Sequence, residues 1–521
     1  MILKIRLFDS VLTVYLFSLL NFLFSLVLQL VLAMFFGART EMDAYLVAMN
    51  IPAIVVSLIL SFEAVFVPTF KRLSIQAQDG SLPVAINTLF NSLVLILSGI
   101  SLVGLVFSPA ITALLAPGFS PAQKDLVNLL FRIMVPYMFF SGLAAFITSI
   151  YHFREKFVIP ALLPLVNTAT IIIIAFLFKD RLGISGLAVG VLVGSIVQLA
   201  FLLPGFLAGG SYSFILDFKH SALSQAGNKL AWLTAGGISL GCILAFERYL
   251  ASNLPVGSIS ALGYAGRMIS IAVLLPSIAL PTVLLPTLSG YYAKNDIEKM
   301  KELLSRGIRL TIICVLPLGG LLVLFRSALV SLLFQRGAFD ALAANNTAEA
   351  IVYYMGLFLA LGISKVITIG FLAIGNVFVP SLTMFAGFLV YFLSAPLLAA
   401  HFSFRGLALA FSLCGISAMA LEVYLLRRRL GGIDGRRITI ASVKALAASL
   451  VMCAGAYIIY NSLPVFSLIN QVLAQALRLA LACAAGIIIF NLAGFILRMT
   501  ELRTLYDTIY LKLRLVIARR G

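Results

Sequence analysis

Apolar runs of about twenty residues or more recur from one end of this chain to the other, separated by short polar loops. Each is long enough to cross the roughly 30 Å hydrocarbon core of a bilayer as a helix. There the backbone must satisfy its own hydrogen bonds, which leaves helices or a closed barrel. Barrel strands run to about ten residues with alternating polarity, and these runs do not alternate. Of the 521 residues, 62% are hydrophobic and only 11% charged. A soluble protein needs a polar outer shell and cannot hide that proportion. The fold class is therefore an all-α polytopic membrane protein.

We count about fourteen spans, near 9–36, 43–70, 84–116, 126–152, 158–178, 183–208, 228–252, 256–289, 307–334, 345–373, 376–400, 405–427, 438–461 and 469–497. The runs 43–70 and 256–289 are long and contain prolines, which predicts kinked or tilted helices there. The opening MILKIRLFDS is basic, but the run behind it continues to Phe36. That is too long for a signal-peptide core and lacks a small-residue cleavage site, so it reads as the first transmembrane helix.

The formal net charge is +18, and its distribution argues against nucleic acid as a partner. The basic residues gather in alternate loops, for example Lys71 and Arg72, Lys294 to Arg306, and Arg427 to Arg437. That is the positive-inside pattern, and it predicts that both termini are cytoplasmic. The segment 498–521 sets Leu, Tyr and Ile near helical spacing among basic residues. It reads as an interfacial helix on anionic lipids. The five cysteines are scattered through apolar runs and the three histidines are dispersed, so neither a disulfide framework nor a metal site is expected. No cofactor is implied. A G-x-x-x-x-G-K-[ST] loop is absent from the sequence, which leaves an ion gradient or the membrane potential as the energy source. No loop carries paired carboxylates or a Ser/His constellation, so a transporter is expected rather than an enzyme.

The two halves resemble each other. Val67-Pro68-Thr69 ends the second run and Leu285-Pro286-Thr287 the eighth. "FSPAITALLAPGF" from Phe107 matches "FRSALVSLLFQRGAF" from Phe325. Pro160 and Pro380 open the fifth and eleventh runs, and Gly186-Leu187-Ala188 matches Gly406-Leu407-Ala408. The offsets stay at 218 to 220, in the same order. Six spans per repeat give both halves one orientation. Parallel repeats of this kind form bundles that rock about a central cavity. The expected organisation is an N-lobe over 1–217, a C-lobe over 218–430, two added spans over 431–497, and a basic tail over 498–521.

The motif order resembles the MurJ/MviN lipid II flippase family. "FFGARTEMDAYLVAMNIP" at 35–52 is similar to that family's first loop and second helix, and "EAVFVPTF" at 63–70 to the end of that helix. "ERYLASNLPVGSISALGYAGRM" at 247–268 is the most specific match, and "LPTVLLPTLS" at 280–289 resembles the end of the eighth helix. The resemblance implies a V-shaped, two-lobed bundle of the multidrug/oligosaccharidyl-lipid/polysaccharide exporter superfamily, in the bacterial inner membrane. It implies movement of an undecaprenyl-pyrophosphate-linked glycan from the inner to the outer leaflet. One departure stands out. Phe22 and Leu28 occupy positions where the family carries arginines in its first helix, and a further arginine of the second helix falls near Val56. The alternative reading is accordingly a Wzx-like exporter of another polyprenyl-linked saccharide. A multidrug or cation antiporter fits less well, because such proteins usually stop at twelve helices.

An ionisable group at bilayer depth costs about 2.5–3.5 kcal/mol on insertion scales, so it faces a cavity or a partner. Arg267 is the foremost substrate candidate, since a guanidinium can grip phosphate oxygens bidentately; a structural ion pair is the competing account. Lys365, near the middle of its run, could take the place of a missing arginine. The resemblance makes Asp43 a further candidate, although an acid at a helix N-terminus is favourable there without any function. Gln29 could line the cavity or bond another helix. Glu247 matches a family position linked to cation binding and is the ion-coupling candidate. Its neighbour Arg248 lies about 100° round the helix, so the two are expected to serve different partners. Glu63 and Glu422 are further charges inside apolar runs.

Overall fold

The structure, a computed structural model, describes residues 2–61, 63–76, 81–208, 212–217, 240–277, 279–376, 378–463 and 471–502. Among them every regular element is a helix and there is no strand. Among the described residues, twelve helical stretches are long and apolar enough to cross a membrane, and they coincide with twelve of the expected runs. This is a multi-pass membrane protein. Of the two other runs, 228–252 has its first part, 228–239, outside the described residues, and 256–289 is helical over Ser258–Ser277 and Ala279–Ala293, residue 278 lying outside the described residues. The expected interfacial helix of the tail lies outside the described residues from 503 onward.

The run 43–70 breaks at Met49, between the helices Thr40–Ala48 and Asn50–Ser61, and is helical again over Glu63–Gln76, residue 62 lying outside the described residues. Pro52 has no N–H to offer the carbonyl of Ala48, so the ladder breaks at Met49. It resumes where the Ala53 N–H donates to the Met49 carbonyl at 2.9 Å.

Breaks of one kind recur along the chain. Phe107 separates the helices Ser81–Val106 and Ser108–Leu115, with φ −93° and ψ 12°. Phe325, 218 residues on, separates Ile297–Leu324 from Arg326–Phe334 with φ −101° and ψ 15°. Three pairs of residues 220 apart share a positive φ: Gly37 (60°) with Gly257 (87°), Glu155 (58°) with Gly375 (73°), and Gly183 (52°) with Ser403 (55°). An L side chain in such a region costs about 1–3 kcal/mol, so Glu155 and Ser403 hold it only because the surrounding helices dictate it.

Two units share the chain. The first comprises Met1–Ser260 with Arg336–Ala343, and the second Ala261–Gln335 with Ala344–Gly521. The first has a core built on Ile59, Phe66, Phe70, Leu97, Phe146 and Leu202. Phe146 meets Phe66 edge-on at 5.1 Å, a geometry that favours aromatic pairs beyond their burial. Within this unit, the Ala338 N–H donates to the Met34 carbonyl at 2.9 Å. Glycine makes that approach feasible on both sides. A Cβ on Gly37 would collide with the Ala338 carbonyl, and one on Gly337 with that of Met34. Gly37→Ala adds this clash to a strained φ and is expected to cost more than about 2 kcal/mol. The check is a lower melting temperature in detergent, with Ala338→Gly failing to restore it because the obstacle is backbone.

In the second unit the helices Gly435–Ser462 and Gln471–Ile496 pack on Ile297–Leu324. Ala445, Ala448, Met452 and Ala456 recur at helical spacing and are all buried. Small side chains there let the backbones approach, which is how helices associate where lipid removes the hydrophobic drive. A partly buried ion pair at 2.5 Å joins Arg309 to Glu501, with Ser305 also accepting from Arg309 at 2.8 Å.

Candidate functional site

The helix Ser258–Ser277 carries Arg267, and its first turn is buried and polar, with Ser258 and Ser260 both buried. Gly257 precedes it and has no side chain with which to cap the exposed N–H groups of the turn. Asp43 supplies the cap from 214 residues away. Its Oδ2 accepts from the Gly257 N–H at 2.7 Å. Its Oδ1 accepts from the Ser260 N–H at 2.7 Å and from the Ser260 hydroxyl. The carboxylate is only 4% exposed, and it sits where the helix dipole favours negative charge.

Glu247 and Arg248 lie beside this turn, both buried. Contrary to the expectation of separate partners, they pair with each other at 3.1 Å. The Cβ vectors diverge, but the long arginine stem folds the guanidinium back to its neighbour. Arg248 Nη1 also donates to the Ile259 carbonyl at 3.3 Å, which ties the pair to the same helix start. Asp43, Glu247 and Arg248 are thus one polar cluster around residues 257–260.

Arg267 lies nine residues into the helix, about 13 Å along its axis. It is exposed, while Ala265, Met268 and Ile269 around it are buried. No described residue gives it an ion pair or a hydrogen bond. Lys365, on the helix Met355–Ala373, is placed alike: exposed, with buried Val366 and Ile367 beside it, and unpaired among the described residues. Gln29 is half-buried on the helix Ile2–Phe36. Glu63 lies on the helix Glu63–Gln76, and its side chain lies outside the described part of the structure. Glu422 is buried among hydroxyls of two other helices and belongs to neither group.

Sequence reasoning missed Gly257 and Ser260, the two residues that receive Asp43. The motif "PVGSIS" contains both, but nothing in its spacing reveals a partner 214 positions upstream.

A family model described as lipid II flippase MurJ matches residues 32–496. The chain belongs to the MurJ family. One curated relative, "Probable lipid II flippase MurJ" of Buchnera aphidicola subsp. Schizaphis graminum, is 28% identical over 411 residues, covering 78% of this chain and 80% of its own length. The lipid II flippase MurJ of Burkholderia cenocepacia is 28% identical over 381 residues, 71% of this chain and 73% of that one. Among solved structures, a lipid II flippase MurJ in an inward closed conformation matches with a TM-score of 0.77 at 22% identity, over 91% of this chain and 98% of that one. An inward-facing multidrug resistance transporter of the MATE family, in the MOP superfamily, matches at 0.70 and 14% identity, over 80% of this chain and 96% of that one. These two likenesses are of fold. The MurJ family match takes in Asp43, Glu63, Glu247, Arg248, Arg267, Lys365 and Glu422 and leaves Gln29 outside.

Proposed function

We propose that this chain moves lipid II, a polyprenyl-pyrophosphate-linked glycan, from the inner to the outer leaflet of the bacterial cytoplasmic membrane by alternating access. Arg267 is the observation that carries the reading. It is a permanent cation without a partner among the described residues, on a helix with no other charge, and facing lipid there would cost about 2.5–3.5 kcal/mol. A hydrated cavity visited by an anion removes that cost. A pyrophosphate offers oxygens in the spacing that a guanidinium fork grips. Asp43 acts as a positioning residue, because it fixes the first turn of the helix that presents Arg267. Lys365 is a second phosphate contact, acting as a point charge, and Gln29 a hydrogen-bonding group for the glycan headgroup. Glu247 is the coupling candidate of this region, its carboxylate held in the polar cluster beside Arg248.

Membership of the MurJ family favours lipid II over another polyprenyl-linked saccharide, despite Phe22, Leu28 and Val56 in place of arginines. The paired breaks at Phe107 and Phe325 and the three positive-φ pairs support two repeats of one backbone design. The basic loops support cytoplasmic termini.

The test is rescue of a bacterium depleted of its own lipid II flippase, with survival and outer-leaflet lipid II followed together. Rescue is expected. Failure by a well-expressed, membrane-inserted chain would move the substrate to another lipid-linked glycan. Lys365→Ala is expected to slow the appearance of outer-leaflet lipid II about tenfold, the loss of one charge-assisted contact. Unchanged transport would remove Lys365 from the site.

A further inference from the structure

Three helices of the second unit enclose a carboxyl group that the proposed substrate site does not use. Glu422, on the helix Phe404–Leu430, is 5% exposed. The Thr368 hydroxyl, from Met355–Ala373, lies 3.5 Å from its Oε1. The Thr383 hydroxyl, from Phe378–Phe402, lies 3.2 Å from the same oxygen. The other oxygen, Oε2, is buried with no hydrogen-bond partner.

Among the described residues no basic group pairs with this acid. On its own helix, Arg427, Arg428 and Arg429 begin five residues on, about 7.5 Å along the axis, and all are exposed. Arg405, Cys414 and Tyr424 complete the charged and titratable residues of that helix. The helix Met355–Ala373 contributes only Lys365, exposed and one turn before Thr368. The helix Phe378–Phe402 contributes Tyr391 and His401, about 12 and 27 Å beyond Thr383 along its axis. None of these cations pairs with Glu422 among the described residues. An ionised carboxylate here would be a lone buried charge, at a cost of several kcal/mol.

The Thr383 and Thr368 hydroxyls stand 3.2 and 3.5 Å from Oε1, and the Ser364 hydroxyl also bonds the carboxyl, so the pocket offers this acid hydroxyls and, among the described residues, no countercharge. Thr383 also lies 2.9 Å from the Pro380 carbonyl and has a single hydrogen to give. With that hydrogen on Pro380, the Thr383 oxygen accepts a proton carried on Glu422 Oε1. The chain from acid to hydroxyl to carbonyl is then complete.

We propose that Glu422 is a proton-binding site inside the membrane domain, taking up one proton to become a neutral acid and releasing it to become a carboxylate, and that this exchange is coupled to the transport cycle. The coupling rests on the flippase reading; the proton binding does not.

The test is infrared difference spectroscopy of the full chain in liposomes, titrated from about pH 5 to about pH 9. A carboxylic-acid carbonyl band is expected that vanishes in Glu422→Gln and shifts in Glu422→Asp. Identical spectra from the native chain and Glu422→Gln would overturn the proposal. So would an absent band together with stabilisation by sodium chloride, but not choline chloride, that Glu422→Gln loses; that result would make this a sodium site. For coupling, a pH gradient is imposed on proteoliposomes containing lipid II. One proton per cycle shifts the steady-state leaflet ratio about tenfold per pH unit, and Glu422→Gln should not respond. Lipid II movement indifferent to the gradient in the native chain would overturn the coupling. No lipid II movement at all, with the band intact, would sink the flippase reading and leave Glu422 a proton site.

Discussion

Arg267→Ala is expected to abolish rescue of a bacterium depleted of its own lipid II flippase, while the protein stays in the membrane at the native level. The side chain is exposed and makes no described contact, so its removal leaves no buried group orphaned and no core cavity. The loss should fall on substrate. A hydrogen bond to a charged group contributes about 1.5–3 kcal/mol, and a guanidinium fork makes two with a pyrophosphate. Together they represent a loss of more than about 100-fold in affinity. Arg267→Lys keeps the charge but loses the planar fork, so partial rescue is expected. The readouts are colony survival, outer-leaflet lipid II and membrane-fraction protein. Full rescue by Arg267→Ala would end the case for a phosphate contact at this position.

Asp43→Ala should act through stability. It strips acceptors from the Gly257 and Ser260 N–H groups and from the Ser260 hydroxyl, all buried. A lost cap costs about 1 kcal/mol, and each buried donor left unsatisfied about 1–3 kcal/mol. A total near 3–5 kcal/mol is expected, seen as a marked drop in melting temperature in detergent. Ser260→Ala removes one hydroxyl and should cost about 1 kcal/mol. Asp43→Asn keeps a single acceptor oxygen and turns an N–H₂ toward donors, so it should fall between the two. Transport should decline in the same order as stability. A chain with Asp43→Ala that melts like the native protein yet fails to transport would instead make Asp43 a substrate contact.

The spans were legible because a bilayer imposes length and polarity on any helix that crosses it. The apolar runs therefore announced twelve described spans, and Pro52 marked where the helix of 43–70 breaks. Isolated intramembrane charges such as Arg267 and Lys365 were legible for the same reason. Partners were not. Asp43 looked like an acid at the start of its own helix, whereas it caps another; both placements satisfy the same dipole argument, and only the tertiary path distinguishes them. Glu247 and Arg248 looked independent from their Cβ directions, because a vector says nothing of how far an arginine stem can bend. Thr368 and Thr383 read as ordinary helix residues until the helix Phe404–Leu430 placed Glu422 between them.

The Asp43 cap also sets a schedule for biogenesis. Residue 43 and its partners are separated by 214 positions. At about 5–20 residues per second of synthesis, the carboxylate is made roughly ten to forty seconds before the turn it will hold. Throughout that interval the second helix enters the membrane with an acid whose permanent partners do not exist. Water, headgroups or the insertion machinery must shelter it until Ser260 arrives, so the half-made protein lives with a polarity that the finished one conceals.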